Sequence, residues 1–123
     1  MIVSIDATNQ GYLTVATEEY DHCVAGVISG AGDIDPGVIL KHDELINGQT
    51  YPVALSGRVY CLADASYGII QPGDLLTTSN TPGYAMKVTD YNKSNGAIIG
   101  KAMTSLEQGK GVVLMLILSL IHI

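Results

Sequence analysis

The amino-acid sequence predicts an all-β chain, a small sandwich or partly closed barrel of about nine short strands with an internal duplication. Three observations carry that prediction. Short apolar runs are separated by Gly- and Pro-containing turn signals at intervals of roughly eight to twelve residues. A Gly-Tyr landmark occurs twice, at Gly11-Tyr12 and Gly83-Tyr84, with comparable runs on either side. No stretch sustains a helical period.

Taken in order, the first strand is Ile2 to Ile5, and Gly11-Tyr12 leads into a second, Leu13-Thr14-Val15. A polar stretch, Thr17 to His22, then precedes the apolar run VAGVIS. Around Gly83-Tyr84 the same succession reappears as Asp74 to Thr78, Ala85 to Val88, Thr89 to Asn95 and AIIGKAM. The offset is 72 at Gly11/Gly83 and 74 at Gly26/Gly100, which fits a two-residue insertion between the landmarks. Repeat one therefore covers about 2–30 and repeat two about 74–105 of a single domain spanning 1–123. Gly26 and Gly100 fall inside strands, where glycine weakens pairing unless it marks a bulge or a close backbone approach.

Turns are assigned to Gly11, Asp35-Pro36-Gly37, Gln71-Pro72-Gly73-Asp74 and Pro82-Gly83, because Pro presets φ and Gly accepts φ > 0 without a Cβ penalty. Between the repeats, Tyr51 to Ala63 alternates, with Val53, Leu55, Val59 and Cys61 on one side, as in a half-exposed strand. Lys41 to Thr50 shows neither period and reads as a surface loop. Only Asp43 to Asn47 or Leu62 to Ser66 could carry a short helical turn.

At 123 residues and 12.9 kDa the chain can bury a real core without metals or disulfides. Hydrophobic residues make up 47% and charged residues 15%, so disorder is excluded. The net charge of -6 and six scattered Lys and Arg argue against nucleic acid as a partner. Seven Tyr with no Phe or Trp suit pleated surfaces where a ring packs and its hydroxyl reaches water. Cys23 and Cys61 lack CxxC spacing and are expected to be buried thiols rather than a disulfide. The first apolar stretch is broken at Asp6, unlike a signal-peptide core.

The final apolar run, Val112 to Leu118, is too short to span a bilayer, so no membrane insertion is expected. Residues 118–123, LSLIHI, match the in-frame translation of a transposon adapter end used in shotgun sequencing. The chain thus reads as a metagenomic fragment whose authentic sequence stops near Ile117.

No constellation announces chemistry. His22 and His42 sit beside acids in separate loops and His122 falls in the suspect tail, so no convergent catalytic or metal set forms. Asp33 and Asp35 resemble a loose calcium loop with its other ligand positions unfilled. Gly109-Lys110-Gly111 precedes a strand, whereas a phosphate loop needs helix N-terminal amides behind its glycines. Ser56-Gly57 lacks a nucleophile elbow, Asp74 reads as a turn cap, and Asn92-Lys93-Ser94 reads as a polar loop. No catalytic, cofactor or metal residue is assigned, and no cofactor is expected.

The chain ends carry the interaction signal. Val112, Val113, Leu114, Met115, Leu116 and Ile117 are apolar on both faces of one strand, and a domain this small supplies cover for one face. With Ile2, Val3 and Ile5 they form the candidate assembly interface, to be covered by a second copy or a donated strand.

From Pro52 onward, the segment containing GRVYCLADASYG, QPGDLLTTSNTPGYAMKVTDYN and GKGVVLMLI resembles a C-terminal β module of bacterial and phage-like surface or tail-fibre proteins. The first half resembles it more weakly, through VSIDATNQGYLTVATEEYDHCVAGVISGAG. The broader layout is similar to the small β-barrel decoration proteins of phage heads. These resemblances imply a non-enzymatic protein that associates with copies of itself at a cell surface, on a virion or outside the cell. The expected product is a head-to-tail filament or fibre-like particle. The alternative is an attachment module binding a capsid, a glycan or a host receptor, with Tyr12, Tyr84 or Tyr91 serving as the glycan platform.

Overall fold

A computed structural model describes residues 1–28, 43–46, 49–54 and 56–118, with side chains for 1–28, 54 and 56–118. The turn expected at Pro36 and Gly37, Asp33, Asp35, His42, Leu55, His122 and the tail from 119 lie outside the described residues. So does the side chain of Val53.

The chain is all-β. Ten strands are present among the described residues: β1 (Ile2–Ile5), β2 (Leu13–Val15), β3 (Val24–Ile28), β4 (Asp43–Ile46), β5 (Gln49–Ala54), β6 (Gly57–Asp64), β7 (Leu75–Thr78), β8 (Ala85–Lys87), β9 (Ile98–Ala102) and β10 (Lys110–Ile117). One 3₁₀ turn, Ala65–Tyr67, is the only helical element among the described residues. The strands close into two five-membered rings, ordered β1-β2-β4-β5-β3 and β10-β6-β8-β7-β9. Closure shortens the free sheet edges, a standing problem for short all-β chains, although β10 meets β9 only over Met115–Ile117.

The two rings share one pairing scheme. In the first, β1 pairs antiparallel with β2 through Val3↔Val15, Ser4↔Thr14 and Ile5↔Leu13. In the second, β7 pairs with β8 through Leu76↔Lys87, Thr77↔Met86 and Thr78↔Ala85. Each ring then adds an antiparallel strand with a register shift at the corresponding step, between Val3 and Ser4 against β3 and between Leu76 and Thr77 against β9. Gly26 and Gly100 lie at those two shifts, paired with Val3 and Leu76 respectively. Both in-strand glycines thus mark bulges. A Cβ on Gly100 would also collide with the backbone carbonyl oxygen of Leu116, so this position combines a bulge with a close backbone approach.

The rings differ in chain order. The strand running parallel to the Gly-Tyr strand is β4 in the first ring, paired through Leu13↔Ile46, and β6 in the second, paired through Ala63↔Ala85. It comes fourth in one ring and first in the other.

The 41–50 segment departs from expectation, since β4 and the start of β5 form an antiparallel pair there, Asp43↔Pro52 to Ile46↔Gln49. Four-residue strands are too short to show a period, but Asn47-Gly48 between them is the two-residue hairpin signal. No helical turn forms at 43–46, and the one found begins at Ala65, after β6 has ended. The continuous strand expected over Tyr51 to Ala63 is two strands, β5 and β6, separated just before Gly57, whose φ is 82°.

The turns fall where the residues place them. Gly11, Gly73 and Gly83 have φ of 85°, 94° and 79°, in the left-handed region that disfavours side chains. Tyr12 N donates to Asn9 O at 3.1 Å, and Tyr84 N donates to Thr81 O at 3.0 Å, so the Gly-Tyr turns close alike. Asp74 caps its own turn, accepting from the Gln71 amide at 2.8 Å, and pairs with Lys87 at 3.5 Å.

One core serves both rings. Ile2, Val24, Val27 and Ala54 from the first pack with Val59, Cys61, Ile70, Leu76, Val113 and Met115 from the second. The end of the first ring where β1 begins and β2 finishes meets the end of the second where β7 finishes and β8 begins. There Ile2 N donates to Gly83 O at 2.9 Å, and Gly83 N donates to Ala16 O at 2.8 Å. Residues 17–22 continue across the seam. The amides of Tyr20 and Asp21 donate to the carbonyl and hydroxyl of Thr78 at 3.4 and 2.8 Å, and that of Glu19 donates to Asn80 Oδ1 at 3.2 Å. Tyr20 then lies along the second ring with Met86, Val88, Ala97 and Ile98.

Candidate assembly surface

The candidate surface is the outer face of the β6–β10 pair. These strands run antiparallel over their full length, from Lys110↔Asp64 to Ile117↔Gly57. Side chains alternate across a strand, so each residue buried inside leaves its neighbours outside. On β6, Val59, Cys61 and Ala63 are buried while Arg58 and Tyr60 are exposed. On β10, Val113 and Met115 are buried while Val112 and Leu116 are exposed. The outer face therefore pairs Val112 with Leu62, Leu114 with Tyr60 and Leu116 with Arg58. Tyr60 is 53% exposed, Val112 43% and Leu116 40%, a concentration of apolar groups that a solvated sheet face does not need. Met103, also exposed, adjoins it, its amide donating to Leu114 O at 2.7 Å.

The structure divides the residues expected to form an interface. Ile2, Val3, Val113 and Met115 have no exposed surface and fill the interior, so they cannot meet a second subunit. Val112 and Leu116 are exposed and Leu114 and Ile117 half-buried, all on β10, while Ile5 is exposed at the far end of the first ring. The reading of β10 as apolar on both faces holds, with one face packed within the chain and the other open. Addition of a donated strand is a different matter. Over Met115–Ile117, β10 has β6 on one side and β9 on the other, so its backbone ladder is already satisfied there. Burial of side chains, rather than strand addition, is what this stretch offers a partner.

Arg58, Tyr60 and Leu62 were missing from the sequence-based surface. The alternation that places Val59 and Cys61 inside puts these three outside, but the pairing of β6 with β10 across the second ring cannot be read from local pattern.

Cys61 is fully buried, which pushes its thiol up to about 11. Cys23 is exposed, contrary to the buried position expected, because the Asp21 carboxylate accepts from its amide at 2.8 Å just before β3 begins. Both cysteines are free thiols. Asp64 is buried and accepts from the Ser66 hydroxyl at 2.5 Å, the Ser66 amide at 2.9 Å and the Thr81 hydroxyl at 2.8 Å. The Ser66 hydroxyl above all holds its carboxyl below the usual range. This network ties the 3₁₀ turn to the turn before β8. His22 is exposed, with Nε2 at 3.3 Å from Lys93 O. Tyr84 is half-buried, with Lys110 Nζ at 5.5 Å from its ring centre. Gly109-Lys110-Gly111 leads into β10. Among the described residues no group of three or more His, Cys, Asp and Glu is placed to hold a metal ion.

No family model, no curated protein and no solved structure matches this chain.

Proposed function

We propose that this protein is a non-enzymatic structural module that self-assembles outside the cell into a filament or fibre-like particle. The observation that supports this reading is the exposed apolar face of β6 and β10, centred on Tyr60, Val112 and Leu116. Burying such a face against a second copy is favourable at roughly 25 cal/mol per Å² of apolar surface. Among the described residues nothing covers that area.

Sedimentation velocity and negative-stain electron microscopy test the proposal. The wild-type protein is expected to form assemblies, and Val112→Glu with Leu116→Glu is expected to reduce their mass per unit length while leaving the fold intact. A wild-type protein that stays monomeric at high concentration overturns the reading, and glycan binding by that monomer would move it to the attachment class.

A further inference from the structure

The seam between the two rings has a counterpart that the described residues leave unused. The shared registers place Ile5 where Thr78 stands in the second ring and Gly11 where Gly83 stands. Thr78 is fully buried beneath residues 20–21, and Gly83 is buried between Ile2 and Ala16. Their counterparts face solvent. Ile5 is 54% exposed, and no atom outside the turn comes within 4 Å of where a Cβ on Gly11 would lie.

The other half of the seam is duplicated too. In the first ring Ala16 N donates to Ile2 O at 3.0 Å and Ile28 N to Met1 O at 2.8 Å. In the second, Val88 N donates to Leu75 O at 2.9 Å and Ala102 N to Asp74 O at 2.9 Å. Both rings therefore end in the same backbone arrangement. The segment after Val88, residues 89–95, follows β8 as the 17–22 segment follows β2, and it carries Tyr91, 68% exposed. Tyr20, the aromatic of the 17–22 segment, is almost wholly buried against the second ring.

We propose that a second copy of this chain docks its first ring onto the free end of the second ring by repeating the internal seam. Gly11 and Ile5 of the incoming copy take the places of Gly83 and Thr78, and the exposed Tyr91 ring packs at the margin of the contact, on a segment whose Thr89 and Asp90 amides are held by Tyr20 and whose Asn92, Lys93 and Ser94 amides close its own turns. The two surfaces differ, so the contact is heterologous. A heterologous contact repeated without closure generates an open chain of rings. This rests on the self-assembly reading and adds to it the end-to-end contact, leaving the β6–β10 face for association between neighbouring chains.

The test uses the full-length protein carrying Leu116→Glu, so that end contacts are isolated from the lateral face. That protein is expected to form single-file chains. Adding Ile5→Glu to block one end, or Tyr91→Glu to block the other, is expected to leave monomers. Mixing the two blocked proteins is expected to give a one-to-one dimer and nothing longer, because one intact end of each remains. Circular dichroism confirms that each variant is folded, and Tyr12→Glu replaces Ile5→Glu if the latter is not. If the Leu116→Glu protein is monomeric while wild type assembles, or if the blocked proteins still form chains, or if the mixture stays monomeric, the end-to-end contact is overturned and self-assembly stands. If wild type is itself monomeric, both fall.

Discussion

The phenolic oxygen of Tyr20, carried by the first ring, accepts a hydrogen bond at 3.0 Å from the backbone amide of Thr89 in the second, 69 residues further along the chain. It accepts another from the Asp90 amide at 2.9 Å. Tyr20 is the only non-glycine residue with positive φ among those described, at 50°. Its ring packs on Met86, Val88 and Ile98, so its backbone turn, apolar body and polar tip all join the two rings.

Tyr20→Phe keeps the apolar contact and leaves two amides without their acceptor. The expected loss is about 1–3 kcal/mol, measured by urea denaturation at neutral pH. Its m-value should be unchanged, since the rings still unfold together around one core. A variant as stable as wild type would show that water replaces the phenol at no cost.

Gly100→Ala places a Cβ against the Leu116 carbonyl and the Met115 side chain, and the backbone cannot yield without disturbing the β9–β10 ladder. A loss of about 2–3 kcal/mol is expected. Gly96→Ala is the control, because nothing lies within 4 Å of its Cβ and only its φ of 78° opposes the substitution, at a cost of about 1 kcal/mol. Thermal melts that rank the two in the reverse order would contradict the close approach.

Thiol titration should find one reactive cysteine in the folded protein, Cys23, and two after denaturation. Burial raises the Cys61 thiol to about 11, above its value in the unfolded chain. The unfolded chain therefore loses that proton first. The contribution to stability is complete below the unfolded value, near pH 9, and is lost as pH rises through about 11. Cys61→Ala should remove the part of the alkaline destabilisation that this thiol causes.

Asp64 behaves in the opposite sense. Its carboxyl is held low, so the stability it contributes is present above the unfolded carboxylate value of about 4 and is lost as pH falls through the folded one. Asp64→Asn keeps the shape of the site but exchanges one acceptor oxygen for a donor facing the hydroxyls of Ser66 and Thr81. Acid unfolding should become less steep in that variant, with lower stability at neutral pH. Unchanged stability at both ends of the range would remove the carboxylate from the account.

Much of this architecture was legible in the chain itself. The Gly-Tyr turns, the Pro-Gly turns and the short apolar runs act through local sterics, so Gly11, Gly73 and Gly83 adopt the expected positive φ whatever surrounds them. Gly26 and Gly100 announced their bulges for the same reason, since an in-strand glycine is costly without one. Apolar alternation placed Val59 and Cys61 inside. These are properties of a few neighbouring residues.

What the tertiary structure decided is everything that depends on which strand lies beside which. Pattern alone could not close the strands into two rings, nor move the parallel partner strand from fourth place to first between them, because pairing across the chain leaves no local trace. It also settled which apolar residues are available to a partner. Ile2, Val3, Ile5, Val113 and Leu116 are alike in hydropathy, yet three of them fill the core and only Ile5 and Leu116 reach solvent. Hydropathy says that a side chain gains by leaving water, and only the packed arrangement says whether its own chain has already provided the place.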